Sequence, residues 1–128
     1  MPIPDKHSWF IGHVIQGNQN GRKYGFPTAN ILLKDKTISI DSGVYAVEVI
    51  LKNTNLQGML YVGTRPTLNL QDISVEIHLF NFDQEIYGQE VSFHILKKFH
   101  EDKKFNSIQE LISAIERYKE EILLFFNE

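Results

Sequence analysis

A chain of 128 residues is the length of one ordinary domain, so a single core over residues 1–128 is expected. Apolar residues at 42% and charged residues at 23% are the balance of a soluble globular protein, and a net charge of −3 leaves no basic excess to neutralise nucleic-acid phosphates. With no cysteine, disulfides, thiolate nucleophiles and Cys-ligated zinc are excluded, and a chain without staples fits the cytoplasm.

The lead-in Met1–His7 is polar and proline-bearing and lacks the apolar core of a signal peptide. No apolar run is long enough to cross a bilayer, so no membrane partner is expected. Trp9–Ile15 is rich in aromatic and β-branched residues and reads as a strand. The stretch from Gly17 to Gly25 sets three glycines among polar residues and reads as a loop. Ala29–Leu33 reads as a second strand. In Gly43–Leu51 the alternation puts Tyr45, Val47, Val49 and Leu51 on one face and Val44, Ala46, Glu48 and Ile50 on the other.

Lys52–Asn55 is a turn, and Gly58–Val62 returns as a strand. Over Ile73–Phe82, Ile73, Val75, Ile77 and Leu79 share one face, with Glu76, His78 and Phe80 on the other. Asp83–Gly88 turns, and Val91–Leu96 reads as the last strand. Lys97, Lys98, Lys103 and Lys104 make a local basic cluster, but acidic residues flank it. The period then changes: Ile108, Leu111, Ile112, Ile115, Ile122 and Phe126 recur at helical spacing, and Ser107 with Glu110 fits a capping box. The spacing predicts a helix over 108–126. About six strands with short turns followed by one helix point to a small antiparallel barrel.

Three features bear on chemistry. Gly17, Gly21 and Gly25 suit a backbone cradle for phosphate oxygens, although a plain turn needs nothing more than such glycines. Thr28 and Asn30 stand two apart, so in an extended segment both side chains face one way. Their neutral oxygens suit Mg²⁺ shared with a nucleotide, or bonds to nearby backbone. Pro27 fixes φ just before them. Glu76 leaves the apolar face of its strand, as a solvated carboxylate or as a general base. His78 shares that face and reads as structural. His7, His13, His94 and His100 show no metal-ligand spacing. Arg65 serves either a phosphate or the carbonyls of its own loop.

The segment Gly21-Arg22-Lys23-Tyr24-Gly25-Phe26-Pro27-Thr28-Ala29-Asn30-Ile31 resembles the signature of riboflavin kinases. The resemblance continues through Gly43-Val44-Tyr45, Gly63-Thr64-Arg65-Pro66-Thr67, Val75-Glu76-Ile77-His78-Leu79-Phe80, Ile86-Tyr87-Gly88 and Lys103-Lys104-Phe105, covering nearly the whole chain in the family's order. It implies a six-stranded antiparallel Greek-key-like β-barrel with one C-terminal helix. It also implies transfer of the ATP γ-phosphate to the 5′-hydroxyl of riboflavin, giving FMN and ADP.

On that resemblance Gly17, Gly21, Arg22, Gly25 and Pro27 belong to the nucleotide loop. Thr28 and Asn30 hold the Mg²⁺ of Mg–ATP, and Glu76 is the catalytic base; Glu48 and Glu90 lack that match. Flavin falls to the stretch around His100, Lys104 and Phe105. There the usual family pattern has arginine where His100 stands and glutamate where Asp102 stands. Most bacterial members carry an FAD synthetase (adenylyltransferase) half with a His-x-Gly-His motif, which this sequence lacks. Either a monofunctional kinase or a domain of a longer protein is expected. Two other readings stay open: a flavin-binding regulatory module without kinase activity, and a scaffold that keeps only the barrel. Intact Thr28, Asn30 and Glu76 count against the scaffold.

Overall fold

The computed structural model of the chain describes residues 9–15, 28–35, 37–66, 71–82 and 84–128. Six strands, β1 (Trp9–Ile15), β2 (Ala29–Leu33), β3 (Gly43–Leu51), β4 (Thr54–Pro66), β5 (Gln71–Leu79) and β6 (Glu90–His100), precede one helix, α1 (Ile108–Phe126). They close into a barrel in the order β1-β2-β5-β4-β3-β6, with every pair antiparallel. The β3-β4-β5 meander, with β6 returning beside β3, is a Greek key.

Alternation decides what is inside. Tyr45, Val47, Val49 and Leu51 of β3 meet Leu60 and Val62 of β4, Val75 and Ile77 of β5 and Phe93 of β6 in the barrel core. The opposite set, Val44, Ala46, Met59 and Phe80, forms a second cluster outside the barrel, covered by α1 through Ile122, Ile115, Tyr118 and Phe126. One sheet therefore has two dry faces along part of its width. The faces expected of β3 and β5 are those observed.

Three strand boundaries differ from the sequence reading. β4 runs well beyond Gly58–Val62 in both directions, and the turn before it shrinks to Lys52-Asn53, both at positive φ (49° and 65°). β5 stops at Leu79 rather than Phe82, because Asn81 takes a left-handed φ of 56° that no strand accommodates. β6 continues four residues past Leu96 to His100. Its ladder with β3 shifts register between Val44 and Tyr45 and again between Ala46 and Val47, which leaves Phe99 and Leu96 as extra, bulged residues. Both bulged side chains pack on the helix-covered cluster.

The helix begins as its sequence demands. Ser107 is the N-cap, its hydroxyl accepting from the Glu110 N–H at 3.1 Å, while the Glu110 carboxylate accepts from the Asn106 N–H at 3.1 Å, one residue further back than in the usual box. Of the residues expected on its apolar face, Ile122 is fully buried but Ile108 is 55% exposed. Ser107→Ala should lower unfolding free energy by about 1 kcal/mol, because it strands one N–H of the first turn. Urea denaturation of the two proteins, with an unchanged m-value, checks this.

Candidate functional site

One latitude of the barrel's outer surface runs Ile15, Asn30, Glu76, Tyr61, Val44 and His100, each directly opposite the next across a strand pair. Directly opposed residues share a face and stand about 5 Å apart. Asn30 and Tyr61 therefore flank Glu76 on either side. Asn30 is 7% exposed, Glu76 is half-buried and Tyr61 is 38% exposed. Each is held by core neighbours on its own strand: Ile31 beside Asn30, Val75 and Ile77 beside Glu76, Leu60 and Val62 beside Tyr61.

Thr28, just before β2, lines a cavity of about 400 Å³ at one end of the barrel, with Val14, Ala29, Ile77, Phe82 and Ile86. Asn30 stands two residues on, in the outer row. The two expected metal ligands thus occupy the rim where the cavity meets that row. Gly17, Gly21, Arg22, Gly25 and Pro27 lie outside the described residues, but the ends of their segment, Ile15 and Thr28, sit at this rim, since Ile15 pairs with Asn30. Arg65 pairs with Asp72 in the β4–β5 ladder, and its side chain lies outside what is described.

Among the described residues no three His, Asp or Glu side chains gather as a metal-ligand set. The oxygens of Thr28 and Asn30 are the hard, neutral donors that suit Mg²⁺ when phosphate oxygens and water complete its shell.

At the other end of the row, His100 is tied to α1. Its Nε2 lies 2.6 Å from Glu121 Oε2, and its ring stacks on Tyr118 at 4.0 Å between centroids. Gly43, at φ 151°, makes room for this strand end: a Cβ there would stand 2.6 Å from the His100 carbonyl oxygen. His100, the residue the sequence reading assigned to flavin, thus stands at the join of β6 and α1. Lys104 is exposed and Phe105 half-buried beneath the Lys103 ammonium, 5.8 Å from its ring centre.

Tyr61 was missed by sequence reasoning, as were Tyr118 and Glu121. The Tyr61 hydroxyl donates to Asp102 Oδ1 at 2.8 Å, joining the middle of the row to the segment that follows β6. Partial burial, then the hydrogen bond and charge of Asp102 and the charge of Glu76, push its phenol above the ordinary value, so it stays a donor at neutral pH. The signal in the sequence was its place between two core residues of β4.

A family model described as riboflavin kinase, or flavokinase, matches residues 5–126. The bifunctional riboflavin kinase/FMN adenylyltransferase of Haemophilus influenzae is 44% identical over 118 residues, 91% of this chain and 38% of that protein. Its Bacillus subtilis counterpart is 37% identical over 123 residues, 93% of this chain and 39% of that protein. A trifunctional protein, RibF/MnmA of Mycoplasmoides gallisepticum, is 39% identical over 91% of this chain and 18% of its own length. A crystal structure from Streptococcus pneumoniae, of a protein named for macrolide efflux, is 33% identical and superposes with a TM-score of 0.82 over 88% of this chain and 37% of that one. The chain thus spans less than two fifths of each of these relatives. No helix among the described residues is long and apolar enough to cross a membrane.

The His100–Glu121 contact joins β6 to α1 at the partly exposed surface. His100→Ala and Glu121→Ala should each cost about 0.5–1.5 kcal/mol of unfolding free energy, and the double variant little more than either alone. Chemical denaturation of the four proteins at one pH tests the coupling.

Proposed function

The chain belongs to the riboflavin kinase family, and from that premise we propose that it transfers the γ-phosphate of ATP to the 5′-hydroxyl of riboflavin, giving FMN and ADP. The observation that carries the reading is the cross-strand pairing of Asn30 with Glu76. It sets a neutral oxygen donor for a nucleotide-bound cation beside a carboxylate able to take a proton. Phosphoryl transfer needs those two functions next to one another, since the attacking hydroxyl must meet the γ-phosphorus in line.

The roles follow from chemistry. Thr28 and Asn30 would hold Mg²⁺, which would supply charge neutralisation for the phosphate oxygens. Glu76 accepts the 5′-hydroxyl proton as the new O–P bond forms and the bond to ADP breaks. Its carboxylate is anchored by strand neighbours in the core, so it is aimed before substrate arrives. The nucleotide lies along the rim from Thr28 to Asn30, and its phosphates are assigned to Gly17, Gly21, Arg22, Gly25 and Pro27. Riboflavin comes from the Tyr61 side of Glu76, towards His100, Lys104 and Phe105. An FMN adenylyltransferase module is the partner that would use the product, and a cysteine-free ATP-dependent enzyme fits the cytoplasm.

Incubation with riboflavin and Mg–ATP should yield FMN by chromatography, and EDTA should stop it; no FMN with any of several nucleotides and metals refutes the kinase. Glu76→Gln keeps shape but accepts no proton, and should lower kcat by about 10²- to 10⁴-fold with riboflavin affinity nearly unchanged. A loss under about threefold moves the base elsewhere. Thr28→Ala and Asn30→Ala should raise the KM for Mg–ATP while circular dichroism stays that of the parent; wild-type kinetics in both removes the metal assignment.

A further inference from the structure

Tyr61 is placed in a way that its strand position alone does not require. It stands next to Glu76 on the outer row, yet its hydroxyl reaches across to Asp102, 41 residues away in sequence. Asp102 belongs to the segment 101–106, which leaves the end of β6 and enters α1 at the Ser107 cap. That segment is anchored at its two ends. Behind it, Lys98 pairs with Glu101 at 2.9 Å; ahead of it, Glu110 takes the Asn106 N–H. Between those anchors, the bond from the Tyr61 hydroxyl ties the sheet to the segment.

The sheet makes room for this tie. Gly63 lies two residues along β4 on the same face, and a Cβ there would stand 3.1 Å from Tyr61 Cε1 and 3.3 Å from its hydroxyl. The ring therefore lies along the strand over a residue with no side chain, rather than standing up into solvent. In that pose its hydroxyl is directed away from the barrel's centre line and towards Asp102.

We propose that Tyr61 is a positioning residue for flavin: its bond to Asp102 holds the segment 101–106 against the face that carries Glu76, and so sets affinity for the isoalloxazine-bearing substrate. The proposal rests on the kinase reading and deepens it. Lys104 and Phe105 ride on the tethered segment, so their distance from Glu76 is fixed by the tether. A phenol serves well here, because it remains a donor throughout the neutral range and a carboxylate accepts from it without needing a proton of its own. The bond is made before any ligand arrives, so the ordering of the segment is not charged against binding.

The test compares wild type, Tyr61→Phe, Asp102→Ala, Asp102→Asn and the Tyr61→Phe/Asp102→Ala double variant. Tyr61→Phe and Asp102→Ala should each raise the KM for riboflavin by about three- to tenfold, the range that one net hydrogen bond spans. The KM for ATP and kcat should stay put. Asp102→Asn keeps a carbonyl acceptor and should remain within about twofold of wild type, and the double variant should match the singles. Unchanged riboflavin KM in either single variant, a fall in kcat at constant KM, or additive losses in the double overturns the tether. Hydrogen exchange on the ligand-free proteins gives a second readout: the amides of 102–106 should exchange faster in Tyr61→Phe, and equal rates overturn the proposal. Absence of FMN from the wild type would instead refute the kinase reading. Calorimetry with riboflavin alone would then decide, with equal affinities of wild type and Tyr61→Phe counting against the tether.

Discussion

Everything in this molecule depends on the pairing of β6 with two strands at once. β6 bonds β1 along one edge and β3 along the other, and with it the sheet has no free edge. It also supplies Phe93, fully buried at the centre of the barrel. β6 is the last of the six strands in chain order, so the barrel closes only once the other five have been made. Its end at His100 determines where the segment 101–106 and the helix begin. The helix then covers the outer cluster around Ala46 and Met59, which closure has brought together.

The barrel interior described holds Val, Leu, Ile, Tyr and Phe side chains. The polar groups assigned to the proposed chemistry stand instead at the rim and on the outer face. There the sheet's alternation becomes useful. Asn30, Glu76 and Tyr61 are each the outward member of a strand whose inward neighbours are locked in the core. Rigidity is borrowed from the hydrophobic side and exercised on the polar side.

Much of this was legible in the sequence, and the failures have physical reasons. Strict alternation in Gly43–Leu51 and Ile73–Leu79 gave the faces correctly, and the helix limits were read to the residue because Ser107 caps it and the period changes there. The extent of β6 was not legible. Its outward residues opposite β3 are Ser92, His94, Lys97 and His100, so the spacing passes from two to three where the bulges fall, and a period-two reading stops at Leu96. β4 was cut short because Thr54, Asn55 and Gln57 are polar, though they simply face solvent along a hairpin. The row joining Asn30 to Glu76 to Tyr61 depends on pairing between β2 and β5, which are far apart in sequence. No local pattern encodes it. Resemblance picked out two of the three, and Tyr61 needed the register.

The chain's single tryptophan has a use that follows from where it lies. Trp9 is paired with His94 across the β1–β6 seam, its indole stacked on the imidazole at 5.3 Å. A lone indole emitter at the line where the barrel is sewn shut is a built-in optical gauge. Parting of the two strands separates indole from imidazole and wets both, changing the intensity and wavelength of emission, with no dye or inserted label needed.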